Sequence, residues 1–282
     1  MNPLYLDGKT ALVTGVLDDA SFAWHIAKTL HAAGARVILS CHPRAMSIVE
    51  HIMTRDKYKE SRALPWGQGS FIPLDVLPCD LAIDSEGIGK DPGAVDISIL
   101  GLKQALLAKD FYLDIVVHSV AFSPEIRTSH LDVSRAAYLE TMNVSSYSLI
   151  SLTRTLLPII NSNAAFLALS YIASERVIPM YGGGMASAKA ALECDVRMLS
   201  WFLGEHGHRI NAISAGPYPS RAARAAGDIK AMANHVAARS PLRRPIDAYD
   251  VAKAALFLCG DLSSGVTGEV LHVDCGFHVM AI

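Results

Sequence analysis

The sequence predicts an α/β protein, a doubly wound parallel sheet with helices on both faces. Three observations carry this reading. Short apolar runs bounded by turn residues alternate with longer segments of helical period. The runs are apolar along their whole length, as strands covered on both faces must be. No linker, repeat or composition shift divides the 282 residues, 51% of them hydrophobic, so a single domain over 1–282 with one large core is expected.

TALVTG, ARVILS, DIVVHS, AAFLALS, RINAIS and EVLHVD read as strands. Residues 21–33, 44–57, 131–157, 185–205 and 248–259 read as helices. Residues 56–74 and 82–98 are rich in polar residues, Gly and Pro, and read as long loops on either side of a short third strand. Loops of such length are usually functional or disordered.

Composition narrows the function. A net charge of −2 gives no global field for nucleic acid or membrane. Arg239, Arg243 and Arg244 read as a solvated basic face. The five cysteines are scattered without a CxxC pair, and the eleven histidines lack ligand spacing. Neither a disulfide framework nor a metal site is expected, and a reducing compartment is. MNPLYLDGKT runs straight into the first strand, leaving no room for a leader, and no apolar run has the length of a membrane span. The expected location is the cytoplasm, although a processed plastid-type enzyme would look the same.

The first strand ends in Thr14-Gly15 and passes through VLDDASFAW into a helix. A glycine there lets the backbone turn tightly towards a pyrophosphate, and the helix N-terminus offers free N–H groups. Only Gly15 of a GxGxxG pattern is present, which a plain strand–helix turn would also explain. After the second strand, ILSCHPR puts His42 near the adenosine ribose without an acidic residue for a 2′-hydroxyl. Arg44 could meet a 2′-phosphate, so the choice between NADH and NADPH stays open on these residues. Asp80, after the third strand, fits an adenine contact and a turn residue equally well.

The most specific stretch is YIASERVIPMYGGGMASAK, residues 171–189. Tyr181 lies eight residues before Lys189 with Gly182-Gly183-Gly184 between them, so the tyrosine sits on a loop ahead of the helix that carries the lysine. Tyr171 lies ten residues before Tyr181, at a strand end. It fits a substrate-positioning residue and a core tyrosine equally.

Tyr171, Tyr181 and Lys189 resemble the Tyr-x9-Tyr-x6/7-Lys pattern of the enoyl-acyl-carrier-protein reductases, members of the short-chain dehydrogenase superfamily with a Rossmann-type fold. The triple glycine and the two long loops are similar to the plant-plastid, chlamydial and apicomplexan branch. GVLDDASFAW, DIVVHSVAFSPE, SSYSLISL, RINAISAGPYPSRAA and GEVLHVDCGF extend the resemblance nearly end to end. It implies reduction of trans-2-enoyl thioesters on acyl carrier protein with NADH, in type II fatty acid biosynthesis, by a homotetramer. Tyr181 would donate to the developing enolate oxygen, Lys189 would bind the nicotinamide ribose, and Tyr171 would position substrate. Gly15, Ser21 and Phe22 would line the pyrophosphate turn, and His42, Asp80 and Leu81 the adenine. Val120 would lie along the nicotinamide-side ribose. Tyr218, Pro219, Ser220, Arg221 and Ala222 would cover the nicotinamide and phosphates, within a mobile substrate-binding segment at 218–240. Ser123 would lie near the acyl chain.

Four positions depart from that branch. His42 stands where Trp is usual, Cys275 and Met180 where Gly is common, and Phe122 where Asn is common. Most short-chain dehydrogenases carry a tyrosine four residues before the lysine. Here that residue is Met185, which argues against an alcohol or ketone dehydrogenase. A dinucleotide-binding regulator with a decayed site is the third reading, and the presence of both Tyr181 and Lys189 argues against it.

Overall fold

A computed structural model describes residues 5–67, 69–87, 95–220, 224 and 227–281. Its strands are β1 (Thr10–Thr14), β2 (Arg36–Cys41), β3 (Asp75–Pro78), β4 (Leu113–His118), β5 (Ile160–Ser170), β6 (Arg209–Ala215) and β7 (Val270–Val273). They form a seven-stranded sheet in the order β3-β2-β1-β4-β5-β6-β7, every pair parallel. The helices are α1 (Phe22–Ala32), α2 (Met46–Thr54), the single turn α3 (Lys59–Arg62), α4 (Ile99–Leu107), α5 (Arg135–Met142), α6 (Ser148–Leu156), α7 (Met185–Gly204), α8 (Ile229–Arg239) and α9 (Ala248–Cys259).

Successive strand residues face opposite sides, and both sides are apolar. Ala11, Val13, Val37, Leu39, Ile115, Val117 and Leu167 join a core with α1, α2 and α9. Leu12, Ile38, Val116, Phe166 and Ala168 join a second core with α4, α6 and α7. The expected doubly wound sheet is the observed one.

The helix expected over 131–157 is interrupted. Ser134 caps α5, accepting from Ala137 N at 3.2 Å, and its own N–H and hydroxyl go to Glu125. A π turn at Asn143–Tyr147 then separates α5 from α6. The widened turn lets the Ser145 hydroxyl donate to Phe122 O and accept from Phe122 N, both at 2.9 Å. Ser145 thereby fixes the chain just past β4.

The described residues of 56–74 are docked against α1 rather than free. The Trp24 indole donates to Ser61 O at 3.1 Å, and Lys28 donates to Ser61 O and Ala63 O at 2.8 and 3.1 Å. Phe71 is buried edge-on against Trp24, 5.2 Å between ring centroids. The Ser61 hydroxyl reaches Asp19, in the turn after β1, at 2.7 Å. In the second stretch, Asp84 accepts from Ser151 at 2.5 Å, and Ser98 caps α4. Residues 88–94 lie outside the described residues.

Candidate active site

The strand order reverses between β1 and β4, so their following loops part and open a crevice at the C-terminal ends of the strands. Gly15 stands at its floor with φ of +80°. A Cβ there would lie 2.0 Å from Ser119 O and 2.9 Å from Val120 Cγ2, so only glycine admits this approach of the two turns. Gly15 and Val120 therefore meet at the crevice floor. Ser21 caps α1, accepting from Trp24 N at 3.2 Å and donating to Asp18 O at 2.7 Å. Beside it Phe22 packs on Tyr218 with centroids 5.1 Å apart, which joins the β1 turn to the segment after β6. Pro219 is exposed and Ser220 buried. Arg221 and Ala222 lie outside the described residues.

At the far end of the crevice, His42 follows β2. Its Nδ1 accepts from Arg44 N at 3.1 Å, so Nε2 carries the proton, and Nε2 lies 3.4 Å from Asp80 Oδ2. Asp80 also accepts from Ala82 N at 3.0 Å, and Leu81 is buried in the second core. An acidic group thus reaches the end of β2 from just past β3.

At the other end of the crevice, β5 delivers three consecutive residues. Leu169 O accepts from Lys189 Nζ at 2.8 Å. The Ser170 hydroxyl donates to the carboxylate of Glu193. The Tyr171 ring meets Tyr181 edge-on, 4.9 Å between centroids. Lys189 and Glu193 are one turn apart on α7, and both are buried. Burial pulls the Lys189 ammonium down to about 8, against the opposing pull of Glu193. Burial raises both phenols, Tyr171 to about 12, and the neighbouring Tyr171 raises Tyr181 further. Both tyrosines therefore keep their protons at neutral pH and can donate a hydrogen bond there.

The triple glycine makes this placement possible. Gly183 and Gly184 have φ of +60° and +78°, and a Cβ on Gly182 would lie 2.0 Å from Thr128 O. Gly182 N and Gly183 N donate to Ile126 O and Thr128 O at 3.1 and 2.9 Å, which lays the loop against the chain after β4. Ser123 and Thr141 both donate to Gly183 O, at 2.9 and 2.8 Å. Ser123, expected near the acyl chain, spends its hydroxyl proton on holding the tyrosine loop.

Glu193, Ser170, Thr141 and His118 were not singled out by sequence reasoning. Glu193 alone had a readable signal, since four residues after Lys189 is the same helical face. His118 is buried at the end of β4. Ser148 gives its one proton to Val144 O at 2.7 Å, so it accepts from His118 Nε2, also at 2.7 Å. Burial, then the charge of Lys189, hold His118 down at about 3, so it stays neutral. Among the described residues, no group of three His, Cys, Asp or Glu side chains is placed to hold a metal.

Residues 98–278 match the family model described as Enoyl-(Acyl carrier protein) reductase. The chain is 41% identical to enoyl-acyl-carrier-protein reductase (NADH) 2, chloroplastic, of Oryza sativa subsp. japonica, over 99% of this chain and 78% of that protein. The chain belongs to the enoyl-acyl-carrier-protein reductase family. Among solved structures, the Plasmodium berghei enoyl-acyl-carrier-protein reductase with triclosan superposes with a TM-score of 0.91 at 35% identity, covering 97% of this chain and 99% of that one. The Anaplasma phagocytophilum reductase in complex with NAD superposes with a TM-score of 0.80 at 34% identity, covering 98% and 94%.

Two unusual residues, Cys275 where the plant-like relatives have Gly and Met185 where most short-chain dehydrogenases have Tyr, now have structural content. Cys275 adopts φ of +60°, a left-handed conformation that suits the glycine common there and costs another residue about 1–2 kcal/mol. Met185 is buried at the start of α7, where it packs rather than reacts.

Proposed function

We propose that this chain reduces trans-2-enoyl thioesters on acyl carrier protein to saturated acyl thioesters with NADH, in type II fatty acid biosynthesis. The observation that carries the reading is the end of β5, which ties a buried lysine and an edge-on pair of protonated tyrosines to one edge of the crevice. The crevice suits a dinucleotide: Gly15 lets the β1 and β4 turns close together at its floor, α1 starts there with its N-terminus, and His42 and Asp80 close the adenosine end. Reduced nicotinamide, when bound, supplies the hydride for the β-carbon.

The rest is the work of the chain's own groups. Tyr181 donates a hydrogen bond to the thioester oxygen, where negative charge develops as an enolate, and its raised pKa keeps that proton in place. Lys189 uses one of its three donors on Leu169 O, leaving the others for ribose hydroxyls. Tyr171 braces the Tyr181 ring and positions substrate. Gly15, Ser21, Phe22 and Val120 line the pyrophosphate and ribose, Leu81 the adenine, and Tyr218, Pro219 and Ser220 cover the nicotinamide. The Ser145 hydroxyl, engaged with Phe122, holds the chain after β4 in place.

The buried Met185, in place of an alcohol-activating tyrosine, sets this reading apart from a ketone reductase. NADH consumption with crotonyl thioester, against a ketone control, tests it. Oxidation with the thioester alone is the expected result, and oxidation with the ketone alone would contradict it.

NADH is expected to be preferred over NADPH. The carboxylate of Asp80 beside His42 repels a 2′-phosphate, and the exposed Arg44 must answer it alone. The expected ratio of kcat/KM is about tenfold or more in favour of NADH, on the scale of 1.4 kcal/mol per decade. A ratio below one would reverse the nucleotide assignment and leave the enoyl reduction intact.

Residues 218–240 serve as the substrate-binding segment. Its C-terminal half is α8, a helix where a loose stretch was expected. That helix buries only Ile229, Ala233 and Val236, a narrow stripe, so it is weakly held. Amide exchange over 229–239 is expected to slow when NAD and an acyl-site ligand bind together, as a closing cover requires. Equal protection with and without ligands would rule out a moving cover. The exposed Met198, Trp201 and Phe202 on α7 suit burial between subunits of a homotetramer, which light scattering on the purified protein would test. No described helix is long and apolar enough to cross a membrane.

A further inference from the structure

The end of β5 makes two ties to α7 rather than one. Leu169 O holds Lys189 Nζ, and the adjacent Ser170 hydroxyl holds the carboxylate of Glu193. Both α7 side chains are at most 5% exposed, so neither charge has water to stabilise it. A buried ammonium and a buried carboxylate four residues apart on one helix lie on the same face. The carboxylate cannot swing away, because Ser170 pins it to the same strand end that holds the lysine.

We infer that Glu193 is a positioning residue for Lys189: its carboxylate, pinned by Ser170, keeps the buried lysine charged and in place to bind the dinucleotide ribose. The inference rests on the assignment of Lys189 to the ribose. Glu193 touches neither cofactor nor substrate, and it acts through the lysine. Removing its charge leaves an ammonium buried with nothing to balance it, and the lysine then releases its proton at a lower pH.

The ionisable groups facing Lys189 are few. Glu193 lies on its own helix and His118 on β4, and His118 is neutral throughout the working range. Tyr171 and Tyr181 stay protonated well above pH 9. The π turn meets α7 through Ser146, whose hydroxyl bonds Asp195 at 2.7 Å, two turns beyond Lys189. In α5, Tyr138 packs at Gly184, while Arg135 and Glu140 are exposed. Arg154 of α6 pairs with Asp84, and Arg209 of β6 bonds Leu258, Gly260 and Ser263 at the opposite end of the sheet. Burial brings the titration of Lys189 down to about 8, within reach of neutral pH.

Glu193→Gln keeps an acceptor for Ser170 and removes only the charge. Fluorescence titration of the whole enzyme with NADH is expected to show Kd raised by about fivefold or more at pH 8 and by less than threefold at pH 6.5, since one pKa unit is a factor of ten. Glu193→Asp, which retains the charge, is expected to recover most of the affinity at pH 8. The same ratio of variant to wild-type Kd at both pH values would overturn the inference. If Glu193→Gln does not fold, Ser170→Ala decides: loss of the pin is expected to weaken NADH binding at pH 8, and unchanged binding overturns the proposal. Lys189→Ala separates the two levels. If that variant binds NADH normally, the ribose assignment itself fails, whereas weakened binding there with a pH-independent Glu193→Gln ratio removes only the role of Glu193.

Discussion

Tyr181→Phe is expected to slow hydride transfer by about 10²-fold, because loss of one preorganised oxyanion donor costs 10²–10³ where water is excluded. The substitution keeps the ring and its edge-on contact with Tyr171, so the loop geometry set by Gly182 to Gly184 should persist. A water entering the vacated space would restore part of the stabilisation, which places the expectation at the lower end. The loss belongs to the chemical step, so single-turnover rates fall while NADH affinity stays within about twofold, as for an interaction made only in the transition state. Tyr171→Phe is the matched control and should slow the step by less. A severe loss in Tyr171→Phe beside a near-wild-type Tyr181→Phe would reverse the two roles.

Lys189→Ala is expected to do the opposite, raising the Kd for NADH by about tenfold or more, a charge-assisted bond being worth roughly 1.5–3 kcal/mol. The sign of its pH dependence follows from the lowered pKa. In the wild type the ammonium is present below about pH 8 and is lost as pH rises through that value. Its contribution to binding is therefore complete at pH 6.5 and fades above pH 8, where wild type and variant should converge. Fluorescence titration across pH 6.5 to 9 measures both the gap and its closing. A gap that is constant with pH would mean that charge is not what Lys189 contributes, and no gap at all would remove it from the ribose.

The sheet was legible because burial on both faces leaves a mark that survives in a single sequence. ARVILS and AAFLALS are apolar without alternation, and they fell within a residue or a few of β2 and β5. Helix α4 was not legible: ILGLKQALL is apolar on nearly every side, so no period announces it, and it follows a stretch rich in Gly and Pro. The π turn at 143–147 was invisible because the contact that it allows, Ser145 with the distant Phe122, exists only in the folded chain. At the site, Tyr171, Tyr181 and Lys189 were singled out by the enoyl reductase pattern that they resemble. Their supports were not, since Ser170 with Glu193 and Thr141 with Gly183 become pairs only when β5, α5 and α7 are packed together. The end of β2 offered no acidic residue, and the fold brings Asp80 beside His42 from just past β3.

The central claim is that hydride reaches the β-carbon of an enoyl thioester. NADH carrying deuterium at C4 of the nicotinamide, in a single turnover with crotonyl-acyl carrier protein, tests it most directly. Mass spectrometry of the released acyl group should find one deuterium at C3 and none at C1. Deuterium at the carbonyl carbon, or NADH left unoxidised while the thioester is bound, would contradict the account.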